Sequence, residues 1–219
     1  VNILAPPRAR LTVEVVHDLV CPWCYLGLRR LLRTLRARPD LAVDIAWRPF
    51  LLNPDMPRLG MSWADYVVRK FGGEDRARRL YATIAQVAAT EGLALDFSVI
   101  ARVPSSVDAH RLVRHAARQG GPTEALVMAI FRAHFAQGRD IGSRAVLAAI
   151  AEENAVPDAA AFLASDAETD AVHAENLRAH RLGINGVPCF VIGGRHAIAG
   201  AQESEVIERL LDVAALEGA

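Results

Sequence analysis

The chain has 219 residues, 52% of them hydrophobic, and its 25 basic residues balance 25 acidic ones. That length supplies one large domain, or a domain carrying an insertion, with enough apolar material for a core without staples. The charge balance argues against nucleic acid or an anionic membrane as the main ligand, and three cysteines exclude a disulfide-built scaffold. Lys70 is the only lysine, and the arginine excess reads as genomic composition. Val1 to Arg10 reads as a short disordered lead. No segment has the layout of a signal peptide and no apolar run reaches transmembrane length, so a cytoplasmic protein is expected.

Leu11 to His17 is rich in β-branched residues and reads as a strand. Cys21, Pro22, Trp23 and Cys24 follow, at the start of a helical pattern. That pattern places Leu28, Leu31, Leu32 and Leu35 on one face and Arg29, Arg30, Arg33 and Arg36 elsewhere, and it stops near Pro39. Residues 41–50 form the second strand, with Val43, Ile45 and Trp47 pointing one way. Strand, helix and parallel strand make a right-handed βαβ unit.

Residues 53–60 have loop composition, and Ser62 suits a helix N-cap before Trp63, Tyr66 and Val67. Helical patterns follow at about 74–91, 105–119, 123–137, 143–154 and 167–182, with no convincing strand between 62 and 182. Strand character returns at 187–192 and 195–199, and Gly193-Gly194 between them signals a hairpin. A last helix covers about 203–216. The order βαβ, helical block, ββα is that of an α/β thioredoxin-like fold with a large all-helical insertion. The expected division is 11–60 with 183–219 as the thioredoxin-like domain and 61–182 as the insertion.

Two cysteines separated by two residues, at a strand-to-helix junction, suit thiol–disulfide exchange. The unpaired N–H groups and dipole at a helix N-terminus stabilise a thiolate. Pro22 fits the first turn, where a missing N–H costs nothing. Cys21 is thus the expected attacking sulfur and Cys24 the resolving one. Trp23 adds bulk without charge, so it stabilises a thiolate less than a cationic histidine would. Three other readings stand beside this one. A zinc half-site would need further ligands from Cys189 and seven scattered histidines, and no metal is expected. A structural disulfide across so short a loop gains little entropy. Two ordinary buried thiols would share the spacing by coincidence.

Several motifs in order carry a resemblance to a known family. They are DLVCPWCY (Asp18 to Tyr25) with Gly27, WRPF (Trp47 to Phe50), NPDMP (Asn53 to Pro57) and DAHRL (Asp108 to Leu112). GVP (Gly186 to Pro188), FVI (Phe190 to Ile192) and GAQ (Gly200 to Gln202) complete the set. From about Thr12 to Glu208 the chain resembles the DsbA family, and within it the FrnE-like branch of predicted dithiol–disulfide isomerases. The resemblance implies that Val187 and Pro188 form a cis-proline loop facing the cysteines; an ordinary trans proline before an edge strand is the alternative. It implies a substrate surface from Pro22, Trp23, Val187 and, in the insertion that covers the active face, His110. A satisfied His110–Arg111 pair without substrate contact is the other reading. Relatives often carry Asn before the DAHR segment, where this chain has Ser105 and Ser106, which weakens any polar contact carried over from there.

The activity implied is a dithiol–disulfide oxidoreductase or isomerase. Its partners would be a protein or small-molecule disulfide and a recycling reductant or oxidant, with no nucleic acid and no membrane. No cofactor is expected beyond the Cys21–Cys24 disulfide, glutathione being the one small thiol that could join it. A glutathione-dependent isomerase or transferase, of the kappa or hydroxychromene carboxylate isomerase type, is the second reading; those proteins usually have serine at the position of Cys21. A non-enzymatic peptide-binding or chaperone module is the third. Cys189 reads as a buried inert thiol, with a third redox sulfur as the sharper alternative. His17 and Asp18 could shuttle a proton to Cys24, against the plainer view that they end a strand and shape a loop. Tyr25 and His134 read as packing residues.

Overall fold

A computed structural model describes residues 10–217, so most of the expected disordered lead lies outside the described residues. In chain order the elements are β1 (Leu11–His17), α1 (Pro22–Ala37), β2 (Val43–Pro49), β3 (Met61–Ser62), α2 (Trp63–Phe71) and α3 (Glu74–Thr90). A 3-10 turn at Phe97–Val99 precedes β4 (Arg102–Val103), α4 (Val107–Arg118), α5 (Thr123–Gln137) and α6 (Arg144–Glu153). The chain closes with α7 (Ala159–Ala164), α8 (Thr169–Arg181), β5 (Cys189–Ile192), β6 (His196–Ala199) and α9 (Ser204–Glu217).

The main sheet has the order β2-β1-β5-β6, with β1 parallel to β2 and antiparallel to β5. Val15 stands opposite both Trp47 and Phe190, which puts β1 at the centre. Side chains alternate faces along each strand. Val13, Val15, Phe190 and Ile192 join the main core with α1 and with Ile207, Leu211 and Ala214 of α9. Val16 and Cys189 turn the other way, onto Phe50 and Ala179 of α8. Gly193 and Gly194 both have positive φ, 61° and 70°, in the three-residue loop that closes the hairpin between Ile192 and His196. This is a thioredoxin-like fold interrupted by helices.

Three details differ from the sequence reading. The insertion holds a two-stranded ribbon, β3 with β4, in which Met61 faces Val103; two-residue strands are too short to show alternation. The short helix α7 sits where no helix was expected. Arg30 is buried rather than solvated: it meets Glu91 at 2.8 Å, the Ala201 carbonyl at 2.8 Å and Glu203 at 2.8 Å. It thereby ties α1 to the end of α3 and to the start of α9. Ser62 does cap α2, accepting the Asp65 N–H at 3.1 Å.

Candidate active site

Cys21 is the N-cap of α1 and Pro22 its first residue. The N–H groups of Cys24 and Tyr25 donate to the Cys21 carbonyl at 3.0 and 3.3 Å, closing the first turn around the pair. The Cys21 side chain caps nothing. Its Sγ lies 3.7 Å from the Val187 carbonyl oxygen, and the Val187–Pro188 peptide is cis. Gly27 permits this approach, because a Cβ there would stand 2.8 Å from Pro188 Cγ and 3.2 Å from Ala201 Cα. Pro22, Trp23 and Val187 are partly exposed around the sulfur.

Beneath the pair lies a layer of buried polar groups. The Asp18 N–H points at Cys24 Sγ across 3.5 Å. The Asp18 carboxylate accepts the Leu52 N–H at 2.7 Å and the Val20 N–H at 3.4 Å. Burial alone would raise its pKa, but His110, the Ser106 hydroxyl and the Leu52 N–H outweigh burial and hold it below the ordinary value. Cys24 goes the other way. Burial first, and Cys21 beside it second, push its thiol well up, so it is held protonated. Among the described residues no group of three or more His, Cys, Asp or Glu is arranged to hold a metal.

His110 corrects an expectation. It has no exposed surface, so it does not meet a substrate from solvent. Its Nε2 instead stands 3.5 Å from Asp18 Oδ1, and its ring meets that of His17 edge-on at 5.2 Å. Arg111 is equally buried, and its guanidinium is fully engaged by Asp108 and by the carbonyls of Ala167, Ser165 and Phe162. Cys189 lies on the far face of the sheet from Cys21, its thiol pushed up by burial. Tyr25 stacks on Phe131 at 5.1 Å, and the ring contacts run on through Phe135, Phe97 and Tyr81 to Trp63.

Tyr66 and Tyr81 were not singled out by sequence. Burial raises both phenols, and a charge at Cys21 would add to it. Tyr66 also lines a cavity of about 220 Å³ together with Asn53, Met56, Arg69 and Lys70. The pointers were the aromatics after Ser62 and the solitary lysine, but neither announces the cavity they line.

Two buried histidines predict acid sensitivity. Burial, helped by His110, takes His17 down to about 3, and burial takes His134 down to about 4. Both stay neutral in the fold while the unfolded chain takes up protons below about 6.5. Their contribution is therefore full above that pH and is lost as pH falls toward the folded values. Moving from pH 7 to 5.5 should cost about 2.5 kcal/mol for the two together. Urea midpoints at the two pH values check this, and a stability unchanged between them would sink it.

A dithiol at a helix start, faced by a cis-proline loop, defines a thioredoxin-fold redox protein. The family model described as DSBA-like thioredoxin domain matches residues 12–212. The chain therefore belongs to the DsbA-like family of thiol–disulfide oxidoreductases. A probable DsbA oxidoreductase from Streptomyces coelicolor is 32% identical, with a TM-score of 0.83 over 93% of this chain and 89% of that one. The cytosolic disulfide reductase DsbM from Pseudomonas aeruginosa shares the fold at 20% identity, with a TM-score of 0.61 over 94% and 96%. A 2-hydroxychromene-2-carboxylate isomerase does so at 17%, with a TM-score of 0.69 over 92% and 95%. No curated protein matches. Among the described residues no helix is long and apolar enough to cross a membrane.

Proposed function

We propose that this protein exchanges disulfides through Cys21 and Cys24, as a FrnE-like dithiol–disulfide oxidoreductase or isomerase of the cytoplasm. One observation carries the reading: Cys21 Sγ at the N-cap of α1 lies 3.7 Å from the carbonyl of Val187, beside Pro188. An extended substrate strand can pair with the Val187 backbone and present its disulfide to that sulfur. The cytoplasmic setting rests on the reducing thiol pools that would keep the pair as a dithiol.

The Cys21 thiolate attacks one sulfur of the substrate disulfide. A Cys21–substrate S–S bond forms, the substrate S–S bond breaks, and the other substrate sulfur leaves as a thiolate. Cys24, held as a thiol by burial, then loses its proton to the nearby Asp18 carboxylate, whose charge acts on it and whose backbone N–H, 3.5 Å from Cys24 Sγ, can stabilise the thiolate formed, and attacks Cys21. The Cys21–Cys24 bond forms and the second substrate thiolate leaves. The substrate gains two electrons and the pair loses two; a dithiol reductant restores the pair, and the reverse sequence oxidises a substrate. In isomerisation a third substrate thiol attacks the substrate sulfur of the mixed disulfide in place of Cys24; a new substrate S–S bond forms, the Cys21–substrate bond breaks and the Cys21 thiolate leaves.

One observation favours a second reading, glutathione-dependent chemistry. The cavity lined by Asn53, Tyr66, Arg69 and Lys70 suits the carboxylates of a small anionic thiol. Turnover separates the two. The reduced protein should reduce insulin disulfides with no electrophile present. Turnover only with glutathione plus an electrophile would overturn the first reading.

A further inference from the structure

The polar layer beneath the cysteines is built from two distant parts of the chain. Asp18 follows β1, whereas His110 and the Ser106 hydroxyl belong to α4 and its N-cap in the insertion. His110 and Asp18 are both without exposed surface, and 3.5 Å separates Nε2 from Oδ1. Neither His110 nitrogen has a well-formed hydrogen bond. A buried imidazole without such bonds is destabilising, so its place beside a carboxylate whose charge acts on the resolving sulfur calls for a reason.

We propose that His110 is a positioning residue: it holds Asp18 in its working state beside Cys24 and so couples the helical insertion to the resolving step. The inference rests on the reading above, in which Asp18 accepts the Cys24 proton. Asp18 can accept that proton only while ionised, and burial opposes ionisation. The groups around it are few. His17 on β1 is neutral, as is His134 on α5. Cys24 on α1 is held as a thiol, and Tyr66 on α2 is held as a phenol. Cys21 is the other thiol of the pair, and its thiolate would oppose the carboxylate. The Leu52 and Val20 N–H groups and the Ser106 hydroxyl are uncharged. His110 is the basic group at ion-pair distance from the carboxylate.

The test separates the two chemical steps. With 5,5′-dithiobis(2-nitrobenzoate), the first thionitrobenzoate released reports attack by Cys21 and the second reports resolution by Cys24. In the wild type the second phase should hold steady from pH 7 to pH 5. In His110→Phe it should slow about tenfold across that window, because an unassisted buried carboxyl takes up a proton there. The first phase should stay within about twofold, and His110→Gln, whose amide donates but carries no charge, should restore only part of the rate. A His110→Phe second phase that follows the wild type overturns the inference. Asp18→Asn distinguishes the failures. If it slows resolution while His110→Phe does not, the inference alone fails; if it resolves at the wild-type rate, the role of Asp18 fails and the inference with it. Should His110→Phe not fold, the wild-type chain answers by NMR. The Asp18 carboxyl carbon should keep the shift of a carboxylate from pH 7 to pH 5, in hydrogen-bond contact with the His110 ring, and a carboxyl that takes up a proton in that window overturns the inference.

Discussion

Cys21→Ser is expected to abolish disulfide reduction, by about a thousandfold or more, while leaving the fold intact. Serine is close to cysteine in size, and Cys21 makes no cap bond that the exchange would break. What disappears is the nucleophile, since a hydroxyl does not ionise usefully near neutrality and cannot form a mixed disulfide. Cys24→Ser should behave differently. Cys21 can still attack, but nothing resolves the product, so a Cys21–substrate adduct accumulates and is visible by mass spectrometry under non-reducing conditions. Insulin reduction retained by Cys21→Ser would remove it as the nucleophile. An adduct on Cys24 in the same variant would reverse the two roles.

The second large effect is on stability. Arg111→Ala should destabilise the protein by about 3–5 kcal/mol, the range for breaking a buried charged network by removing one partner. Arg111 is fully buried, donates to the carbonyls of Ala167 at 2.6 Å and Ser165 at 2.7 Å, and lies over the Phe162 ring at 5.2 Å. Its loss leaves those carbonyls short of a donor and leaves Arg144 as the remaining ion-pair partner of Asp108. Arg111→Lys should recover only part, because an ammonium cannot reproduce the planar fork. Urea unfolding measures both variants, and a loss below about 1 kcal/mol for Arg111→Ala would refute the account. The effect reaches the site because Arg111 fixes the helix that carries His110.

What the sequence makes legible here is local. The Cys21 to Cys24 spacing, Pro22 at the helix start, the Ser62 cap and the two glycines of the hairpin each depend on neighbours a few residues away. Strand alternation also separates Cys189 from the redox face, since Cys189 and Phe190 must point to opposite sides. Contacts between distant segments are not written that way. Arg30 looked like one more solvent arginine because Glu91 sits 61 residues on. His110 looked like a surface histidine because nothing near it in sequence predicts Asp18. The β3 and β4 pair is too short for a pattern, and its hydrogen bonds follow from where the loops on either side bring it.

The position of β1 has a consequence for synthesis. It is one of the two inner strands, yet β5, the other and its antiparallel neighbour, is among the last elements to be made. Cys21 emerges 166 residues ahead of Val187, a lag of roughly ten to thirty seconds at ordinary ribosome speeds. Throughout that interval both sulfurs are on a nascent chain without the loop that later covers them. They are open to any oxidant or stray disulfide the cell offers, so the pair can be oxidised before the site around it is complete.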